Sequence, residues 1–571
     1  METILWNLAR TDGGEFLYSL WQPILVGMVL YFSGYWQVWF VSLARTARLI
    51  VPTPLVDPPD ILVVIPTLLR THDDLNDLRE AAETVLGNDY PGRVVLSLSI
   101  DGSEGIEPLL EELDRWARSQ RAKILIAAAP QRAGKGVAVE LGLERAKIAV
   151  REGELAQLPT IFFNMDADSV LGPQALERMV ATLTKPGWLT RQKPMIVASN
   201  VLVRREHYWA GWAKFFSVRY QLALQVSREY LTSISISRNN RGLLPVTGVS
   251  GALYCTWTEI HHQQARHAAY MNSLRWRDLG WWWLGRALPR FDAFAGAPNV
   301  AMTAGPGDDT WLAWLAMAAR WREGQIDLEL ARSPLHALGR LLRSFVVRPI
   351  AYDPNARVYT ATPTTVRSLF KQRVRWNTSR TWLMQRFGLA PFIAWDLGAW
   401  VVSDLLLTLL IHAGILVALL GWPFAKQPAT WLAIATLAYV GVFAVRTLST
   451  LLALVQEGDW RQWHKLLALP LAGPYHLIFN ILPTIVGFVQ DFFGFGLNTN
   501  FAPEETLAAS GRGRIALAYR STRCAKLILR ALRHGDVAPG RFWFGFGKTR
   551  WTEHGYAGWT DKARRVGRGG V

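Results

Sequence analysis

The chain has 571 residues, half of them hydrophobic, with 27 Trp and a formal net charge of +17. This length excludes one compact core of ordinary size, because a single domain takes ~100–200 residues. Its two cysteines, Cys255 and Cys524, exclude a disulfide framework, and their spacing fits no metal site. An excess of Lys and Arg suits nucleic acid, an anionic membrane surface or acidic substrates. The long apolar runs favour a membrane and a phosphorylated substrate, and we expect no nucleic-acid partner.

The first apolar run covers residues 23–43 and is followed by Arg45 and Arg48. It is too long for a signal-peptide core and lacks a small-residue cleavage site, so it predicts a retained transmembrane helix. The basic flank predicts that the next segment lies in the cytoplasm. Residues 51–59 contain four prolines and are predicted to be a linker.

Short apolar runs bounded by turn signals alternate with helical patterns from residue 61 to about residue 376. The predicted strands are 61–65, 94–100, 123–127 and 160–163, and helical patterns at 75–86 and 106–120 lie between them. Strands that alternate with helices indicate a parallel α/β sheet. In such sheets ligands bind at the carboxyl ends of the strands, so the residues that follow each strand are the candidates for a site.

Aromatic and basic side chains are interleaved in residues 208–224, where Lys214 and Arg219 stand among six aromatic residues. This pattern predicts an amphipathic helix at the bilayer surface. An ordinary core helix explains the same pattern equally well.

Three further apolar runs follow in the C-terminal half, at 399–420, 431–454 and 466–493. The first two are long enough to span a membrane. Three prolines interrupt the third, which is either one kinked span or two short segments forming a re-entrant or interfacial pair. The basic tail from residue 494 predicts a cytoplasmic location, and this favours two segments, because a single span would put the tail outside.

The predicted organisation has four parts. They are an N-terminal transmembrane helix with its flank (1–50), a cytoplasmic catalytic domain with interfacial helices (51–390), transmembrane or channel helices (391–495) and a basic C-terminal tail (496–571).

Acidic residues follow two of the predicted strands. Asp101 precedes Gly102 and can reach a base or ribose, although Asp-Gly is also a common turn. Residues 164–168 read Asn-Met-Asp-Ala-Asp, and Asp166 and Asp168 can share a divalent cation bound to a diphosphate. The alternative for this second motif is an acidic loop that caps the next helix.

Two loops before helices carry further candidates. Residues 131–136 are rich in glycine and include Lys135, and backbone donors with a cation suit a phosphate there. Residues 305–310 read Gly-Pro-Gly-Asp-Asp-Thr, and a carboxylate at this helix start can take a proton from an acceptor hydroxyl. A plain helix cap is the alternative for the second loop.

Residues 372–376 read Gln-Arg-Val-Arg-Trp on a helix that enters the membrane region. Arg375 can pair with a diphosphate leaving group, and Trp376 can offer a face to a sugar ring. Taken alone, the segment would be interpreted as a juxtamembrane basic anchor.

In this order, together with Val-Thr-Gly-Val-Ser-Gly-Ala at 246–252, the motifs resemble those of the processive family-2 glycosyltransferases. These are the cellulose, chitin and hyaluronan synthases and the alginate-polymerising mannuronan synthases. The resemblance covers about residues 61–376. It implies a GT-A (Rossmann-like) α/β catalytic domain in the cytoplasm, combined with α-helical transmembrane and interfacial helices.

The resemblance also implies a role for each matching residue. For the donor, Thr67 and Asp101 match the nucleotide-binding pair, Lys135 matches a nucleotide or phosphate contact, and Asp166 and Asp168 match the motif that binds the diphosphate and Mg²⁺ or Mn²⁺. For the acceptor, the matching segment contains Thr247, Gly248, Ser250 and Gly251, and Asp309 matches the general base. The motif that holds the diphosphate and the acceptor end is matched by Gln372, Arg375 and Trp376.

The implied activity is that of a membrane-integrated, inverting, processive β-glycosyltransferase. It would polymerise a UDP-sugar such as UDP-glucose into an exopolysaccharide and translocate it across the inner (plasma) membrane. Gly-Asp-Asp at 307–309 is more similar to the hyaluronan and mannuronan synthases, and Leu-Gly-Arg at 284–286 and Arg70 are similar to the mannuronan synthases. Residues 66–70 lack the usual Asn-Glu.

Three alternatives stay open. They are a mannuronan-type synthase using a GDP-sugar, a non-processive glycolipid-forming transferase, and a non-catalytic polysaccharide-export subunit. The implied partners are the nucleotide-sugar donor, the growing polysaccharide, membrane lipid and export or periplasmic subunits.

Overall fold

A computed structural model describes residues 55–130, 135–186, 193–232, 249–259, 309, 312–313, 350–387, 428–458 and 460–486. The strands are β1 (Ile61–Thr67), β2 (Val94–Asp101), β3 (Ile124–Ala129), β4 (Ile161–Met165), β5 (Ser169–Leu171), β6 (Ile196–Val203), β7 (Leu253–Trp257) and β8 (Ile350–Thr360). The helices are α1 (His72–Leu86), α2 (Glu107–Ser119), α3 (Lys135–Arg151), α4 (Ala175–Thr184), α5 (Arg205–Tyr208), α6 (Trp212–Phe215), α7 (Val218–Glu229), α8 (Val366–Phe387), α9 (Pro428–Glu457) and α10 (Ala472–His476).

The strands form one eight-stranded sheet in the order β3-β2-β1-β4-β7-β6-β8-β5. Within the group β1 to β4, the pairs β1–β2, β1–β4 and β2–β3 are all parallel, as the sequence predicts. The prediction of a parallel sheet is wrong for the other half, because β7 runs antiparallel to both β4 and β6. Apolar runs report that a strand is buried but not its direction, which is why the sequence pattern missed this reversal.

Helices cover the parallel half of the sheet, which is why its strands are continuous apolar runs. All seven residues of β1 are buried, as expected for a strand covered on both faces. Helix α1 begins with a capping box in which Thr71 and Asp74 bind each other's backbone amides. Helix α3 lies so close to the sheet that a Cβ on Gly142 would stand 2.6 Å from Cγ1 of Val64.

The order of the parallel strands creates a crevice at one edge of the sheet. The chain moves from β1 outward to β2 and β3, and then returns past β1 to β4 on its other side. Such a reversal between β1 and β4 is a topological switch point, and open α/β sheets bind ligands outside the carboxyl ends of the strands there.

The predicted single helix at 208–224 is wrong, because this segment is divided among α5, α6 and α7. Gly211 separates the first two helices with a φ of 88°, a left-handed conformation that favours glycine. Trp212 and Phe216 are exposed by 58% and 82%, whereas most of α7 is buried. The exposed aromatic side chains therefore lie in the first part of the segment, and α7 has the burial expected of a core helix.

Helix α9 covers the predicted run 431–454, and a second helical run continues from residue 460 to residue 486. Of the residues that the structure describes, one helix, Trp460–Val486, is by length and composition able to cross a membrane, with 27 residues and a mean hydropathy of 1.4 in an 18-residue window. The run changes from a 3₁₀-helix (Trp460–Leu471) to α10 and then to a π-helix (Leu477–Ile481) without a break. The spans predicted at 23–43 and 399–420 lie outside the described residues.

The C-terminal end of α9 is fixed to the eight-stranded sheet. Glu457 is 2% exposed, and its Oε1 accepts a hydrogen bond of 2.7 Å from Asn200 Nδ2 on β6. Arg357 on β8 lies 3.3 Å from the same carboxylate and donates to the Glu457 carbonyl at 2.6 Å. We call these three residues the Glu457 dock.

Candidate active site at the carboxyl edge of the sheet

The predicted nucleotide-binding residues lie side by side at the carboxyl edge. Thr67 ends β1 and stands opposite Ile100 of the parallel strand β2. Asp101 is the next residue and ends β2, followed by Gly102 with a φ of 94°. Both Thr67 and Asp101 are buried, so the Asp-Gly pair is more than an exposed surface turn.

The acidic motif follows β4 at the same edge. Val64 of β1 is in register with Asn164 of β4, which puts Asp166 at the level where β1 ends. The Asp166 amide donates to the Ala252 carbonyl at 3.1 Å, and the Ser169 amide donates to the Asp166 carbonyl at 3.1 Å. Backbone hydrogen bonds on both sides therefore hold the motif in the crevice.

The helix-capping alternative for this motif is wrong. Strand β5 follows the acidic residues directly, and the next helix, α4, begins only at Ala175. Its N-cap residue, Gln174, makes no side-chain capping hydrogen bond. Asp166 and Asp168 are thus free of a capping role and remain candidates for ligand binding.

Lys135 connects the helix α3 to the acidic motif. It is the first described residue of α3, and its Nζ lies 2.5 Å from Oδ1 of Asp166. The two side chains are 35% and 33% exposed. Because both charges keep contact with solvent, a bound anion or cation can compete for either partner.

Three segments that are distant in the sequence meet around Gly251. The Gly251 amide donates to Oδ2 of Asp309 at 2.9 Å. A Cβ on Gly251 would stand 2.9 Å from Lys135 Nζ, 3.6 Å from Asp309 Oδ2 and 3.8 Å from Asp166 Oδ2. The bare glycine therefore allows the predicted base, the predicted phosphate contact and the predicted metal ligand to converge.

Asp309 has a helical backbone, and the nearby Leu312 and Ala313 are buried. Its carboxylate binds the amide of another segment, so at least one of its oxygens does not serve as a cap for its own helix. Thr247 and Gly248 lie outside the described residues. Ser250 Oγ accepts a long hydrogen bond of 3.4 Å from the Ala252 amide.

The Asp168 carboxyl group is electrostatically perturbed. The residue keeps an exposed surface, but protein atoms crowd its carboxylate, and this desolvation raises the pKa of Asp168 to about 6. The adjacent Asp166 carboxylate adds to the increase, whereas Lys135 and Arg204 oppose it. Thr360 Oγ1 donates to Oδ1 of Asp168 at 3.4 Å.

The two carboxylates of the acidic motif fit a divalent cation whose other ligands come from a substrate and from water. Among the residues that the structure describes, no group of three or more His, Cys, Asp or Glu side chains forms a complete cage. Mg²⁺ is usually held by one or two carboxylates together with phosphate oxygens and water. Asp166 and Asp168 provide the two carboxylates, and Lys135 provides a further charge for the phosphates.

The remaining predicted residues lie on α8. Gln372, Arg375 and Trp376 are spaced i, i+3 and i+4 and so share one face of this helix. Arg375 and Trp376 are exposed, and Gln372 is half-buried. Its Oε1 is buried without a hydrogen-bond partner within the described ranges.

The sequence interpretation missed Arg373, which lies within the same motif. Arg373 is buried, and its Nη2 lies 2.6 Å from Oε2 of Glu229 on α7. The signal for its position was available, since Leu369, one helical turn earlier, is an apolar residue on the same face and is fully buried.

Two solved structures are similar to the chain. One is the mannosyltransferase PcManGT from Pyrobaculum calidifontis in complex with GDP-Man and Mn²⁺, with a TM-score of 0.31 and 14% identity over 76% of this chain and 98% of that chain. The other is GalNAc-T7 with UDP, GalNAc and Mn²⁺, with a TM-score of 0.20 and 18% identity over 26% of this chain. The match spans 24% of the GalNAc-T7 chain. No protein-family model matches the chain, and no curated protein matches its sequence.

Proposed function

We propose that the protein is a metal-dependent, inverting glycosyltransferase that uses a nucleotide sugar. The observation that carries this proposal is the convergence of Lys135, Asp166 and Asp309 around Gly251 at the switch point of the sheet. A site with two carboxylates, a cation and a separate carboxylate suits transfer from a diphosphate to a hydroxyl group better than it suits simple binding.

The donor would lie along the carboxyl edge. Thr67 and Asp101, at the ends of β1 and β2, are in reach of the nucleoside. Asp166 and Asp168 would hold Mg²⁺ or Mn²⁺, which neutralises charge on the diphosphate. Lys135 would exchange its contact with Asp166 for a phosphate oxygen, since both partners are open to solvent.

Asp309 would act as the general base. The acceptor hydroxyl attacks the anomeric carbon, the bond from that carbon to the diphosphate breaks, and the hydroxyl proton passes to the Asp309 carboxylate. The Gly251 amide donates to one carboxylate oxygen of Asp309, which fixes the direction of the other oxygen. Inversion follows, because the hydroxyl enters from the face opposite the leaving diphosphate.

The finer proposal is a processive synthase in the inner membrane that extends an exopolysaccharide and passes it outward. Support comes from α8, whose Gln372, Arg375 and Trp376 share a face, and from the apolar helices that follow. A UDP-sugar such as UDP-glucose is the favoured donor. A GDP-sugar, a glycolipid product and a non-catalytic export subunit are the outcomes that the experiment must distinguish.

A cytoplasmic location of the catalytic domain and of the C-terminal tail also belongs to this proposal. The ring of His464 lies 3.8 Å from that of Trp209, and Gln225 donates to the Ala468 carbonyl at 2.6 Å. These contacts keep the first half of the 460–486 run beside the catalytic domain, which supports an interfacial segment there. Cysteine labelling at Ser103 and Ser521 tests the topology, and labelling of either site from outside intact cells would contradict it.

The decisive experiment supplies the purified chain, reconstituted in lipid, with a panel of UDP- and GDP-sugars and measures released nucleotide and product size. We expect transfer from one donor, a long product, and loss of transfer with excess chelator. Asp168→Asn should abolish transfer, because an amide is a poorer ligand than a carboxylate for a hard cation. Full activity in excess chelator would contradict the metal assignment. The absence of transfer from every donor would contradict the proposal that the protein is a glycosyltransferase.

A further inference from the structure

Three helices meet at one buried polar cluster on the side of the catalytic domain that faces the apolar run. Arg373 of α8 lies 2.6 Å from Glu229 of α7, and Tyr475 of α10 donates to the same carboxylate oxygen at 2.9 Å. Arg373 also donates to the Tyr475 hydroxyl at 3.4 Å. We call Arg373, Glu229 and Tyr475 the Arg373 cluster.

The Arg373 cluster is enclosed, so it serves the protein and not a ligand. The side chains of Arg373 and Glu229 are 6% and 15% exposed, and Tyr475 is 4% exposed. A buried charge that loses its partner is strongly destabilising, so the pair resists displacement. The cluster therefore constrains the three helices to one relative arrangement.

The Arg373 cluster also reaches the exposed face of α8. The guanidinium of Arg373 lies over the ring of Trp376, 4.5 Å from its centroid, which is within the range of a cation–π interaction. Trp376 is 38% exposed and belongs to the proposed acceptor-binding face. Because Glu229 and Tyr475 fix the guanidinium of Arg373, the guanidinium limits the orientations of the Trp376 ring.

We propose that Arg373 is a positioning residue that couples the apolar run 460–486 to the acceptor-binding face of α8. Tyr475 and the Ala468 carbonyl bind α7, and α7 binds Arg373, which orients Trp376. A shift of the run is transmitted through Tyr475 to the ring that would face the acceptor sugar. The inference rests on the proposed function for the identity of that ligand but not for the coupling itself.

The test compares two tyrosine variants of the full chain in lipid nanodiscs. Tyr475→Phe removes a hydroxyl from the cluster, and Tyr439→Phe is the matched control. The Tyr439 hydroxyl donates to the Pro470 carbonyl of the same run at 3.1 Å but lies on α9, outside the cluster. A third variant, Arg373→Lys, keeps the charge opposite Glu229 but loses the planar group over Trp376.

Two readouts separate positioning from general damage. The first is amide hydrogen exchange in residues 366–377. We expect faster exchange there in Tyr475→Phe and Arg373→Lys and no change in Tyr439→Phe. The second is steady-state transfer, where both cluster variants should raise the acceptor KM about tenfold, since small misplacements of a positioned group have effects of this order. Donor KM and donor hydrolysis should stay near the wild-type values.

A failure of the coupling can be distinguished from a failure of the proposed function. Equal exchange in Tyr475→Phe and Tyr439→Phe would overturn the coupling, as would equal increases in donor KM and acceptor KM. If the wild-type chain transfers no sugar, the proposed function fails, and the exchange measurement still decides whether the run and α8 are coupled.

Discussion

The carboxyl-edge site and the Arg373 cluster use the same kind of ion pair in opposite environments. Lys135 lies 2.5 Å from Asp166, and Arg373 lies 2.6 Å from Glu229. About a third of each side chain is exposed in the first pair, whereas Arg373 is only 6% exposed. Exposed pairs gain little net free energy and exchange partners easily, but a buried pair that loses one partner is strongly destabilised.

The difference shows which charges are available for chemistry. At the carboxyl edge, Lys135 and the acidic motif can leave each other for phosphate and metal. At the Arg373 cluster the charges hold three helices against one another, and at the Glu457 dock they hold α9 against the sheet. Variants at the first site should therefore change rates, and variants at the second kind of site should change stability or helix positions.

The largest expected effect is on the rate of transfer. Asp309→Asn keeps the shape of the side chain but removes the proton acceptor, so transfer should fall by ~10²–10⁴-fold. Donor binding should stay near normal, because the proposed nucleotide contacts lie at Thr67 and Asp101. Single-turnover transfer and equilibrium donor binding would be measured, with Asp308→Asn as the milder control. A near wild-type rate, or an equal loss of donor binding, would exclude Asp309 as the base.

The second effect tests the Glu457 dock. Glu457→Gln should lower the free energy of unfolding by about 1–3 kcal/mol, because it replaces the buried carboxylate that faces Arg357 with a neutral amide. The matched control is Glu80→Gln, whose partner Arg204 lies at 2.7 Å but whose own side chain is 51% exposed. That control should cost less than about 1 kcal/mol. Equal decreases in denaturation midpoint would mean that burial does not distinguish the two pairs.

The third effect tests the convergence around Gly251. Gly251→Ala would place a Cβ 2.9 Å from Lys135 Nζ and should displace this flexible side chain from Asp166. We expect kcat/KM for the donor to fall about tenfold, equivalent to ~1.4 kcal/mol, with an unchanged unfolding midpoint. If Lys135 mediates the loss, Lys135→Met and the double variant should have the same kcat/KM. Additive losses would show that the methyl group acts by another route.

The smallest effect concerns a surface network remote from the site. Lys123 and Arg145 hold the pKa of Glu154 near 2, below its ordinary value of 4.5, through hydrogen bonds of 2.6 Å and 2.7 Å. A depressed carboxylate pKa stabilises the fold above about pH 4.5, and this contribution is lost as the pH falls toward 2. Glu154→Gln should therefore destabilise the protein by less than about 1 kcal/mol at pH 7. The difference in unfolding midpoint from wild type should shrink at pH 3.5, and a difference that grows would contradict the assignment.

Local signals in the sequence were sufficient for the parallel half of the fold. The strands predicted at 61–65 and 94–100 form at Ile61–Thr67 and Val94–Asp101, because long apolar runs bounded by turn residues have few alternatives in a globular domain. The helix predicted at 106–120 forms at Glu107–Ser119. The placement of Asp101 and of the acidic motif at strand ends follows from these elements alone.

The interfacial segment shows where local signals failed. Residues 208–224 carry a continuous amphipathic pattern, but Gly211 turns the chain and divides it into separate helices. The pattern records which side chains prefer an apolar surface. It does not record whether that surface is lipid or the protein core around α7.

By itself the sequence determined the identity of the chemical groups and the strands that carry them, because these depend on residue types and on short-range periodicity. Only the tertiary structure decided which groups meet. The contact of Gly251 with Asp309 and the contact of Arg373 with Glu229 join residues that are 58 and 144 positions apart. Such contacts arise from the register of β7 beside β4 and from the packing of α8 against α7, and no local pattern encodes either arrangement.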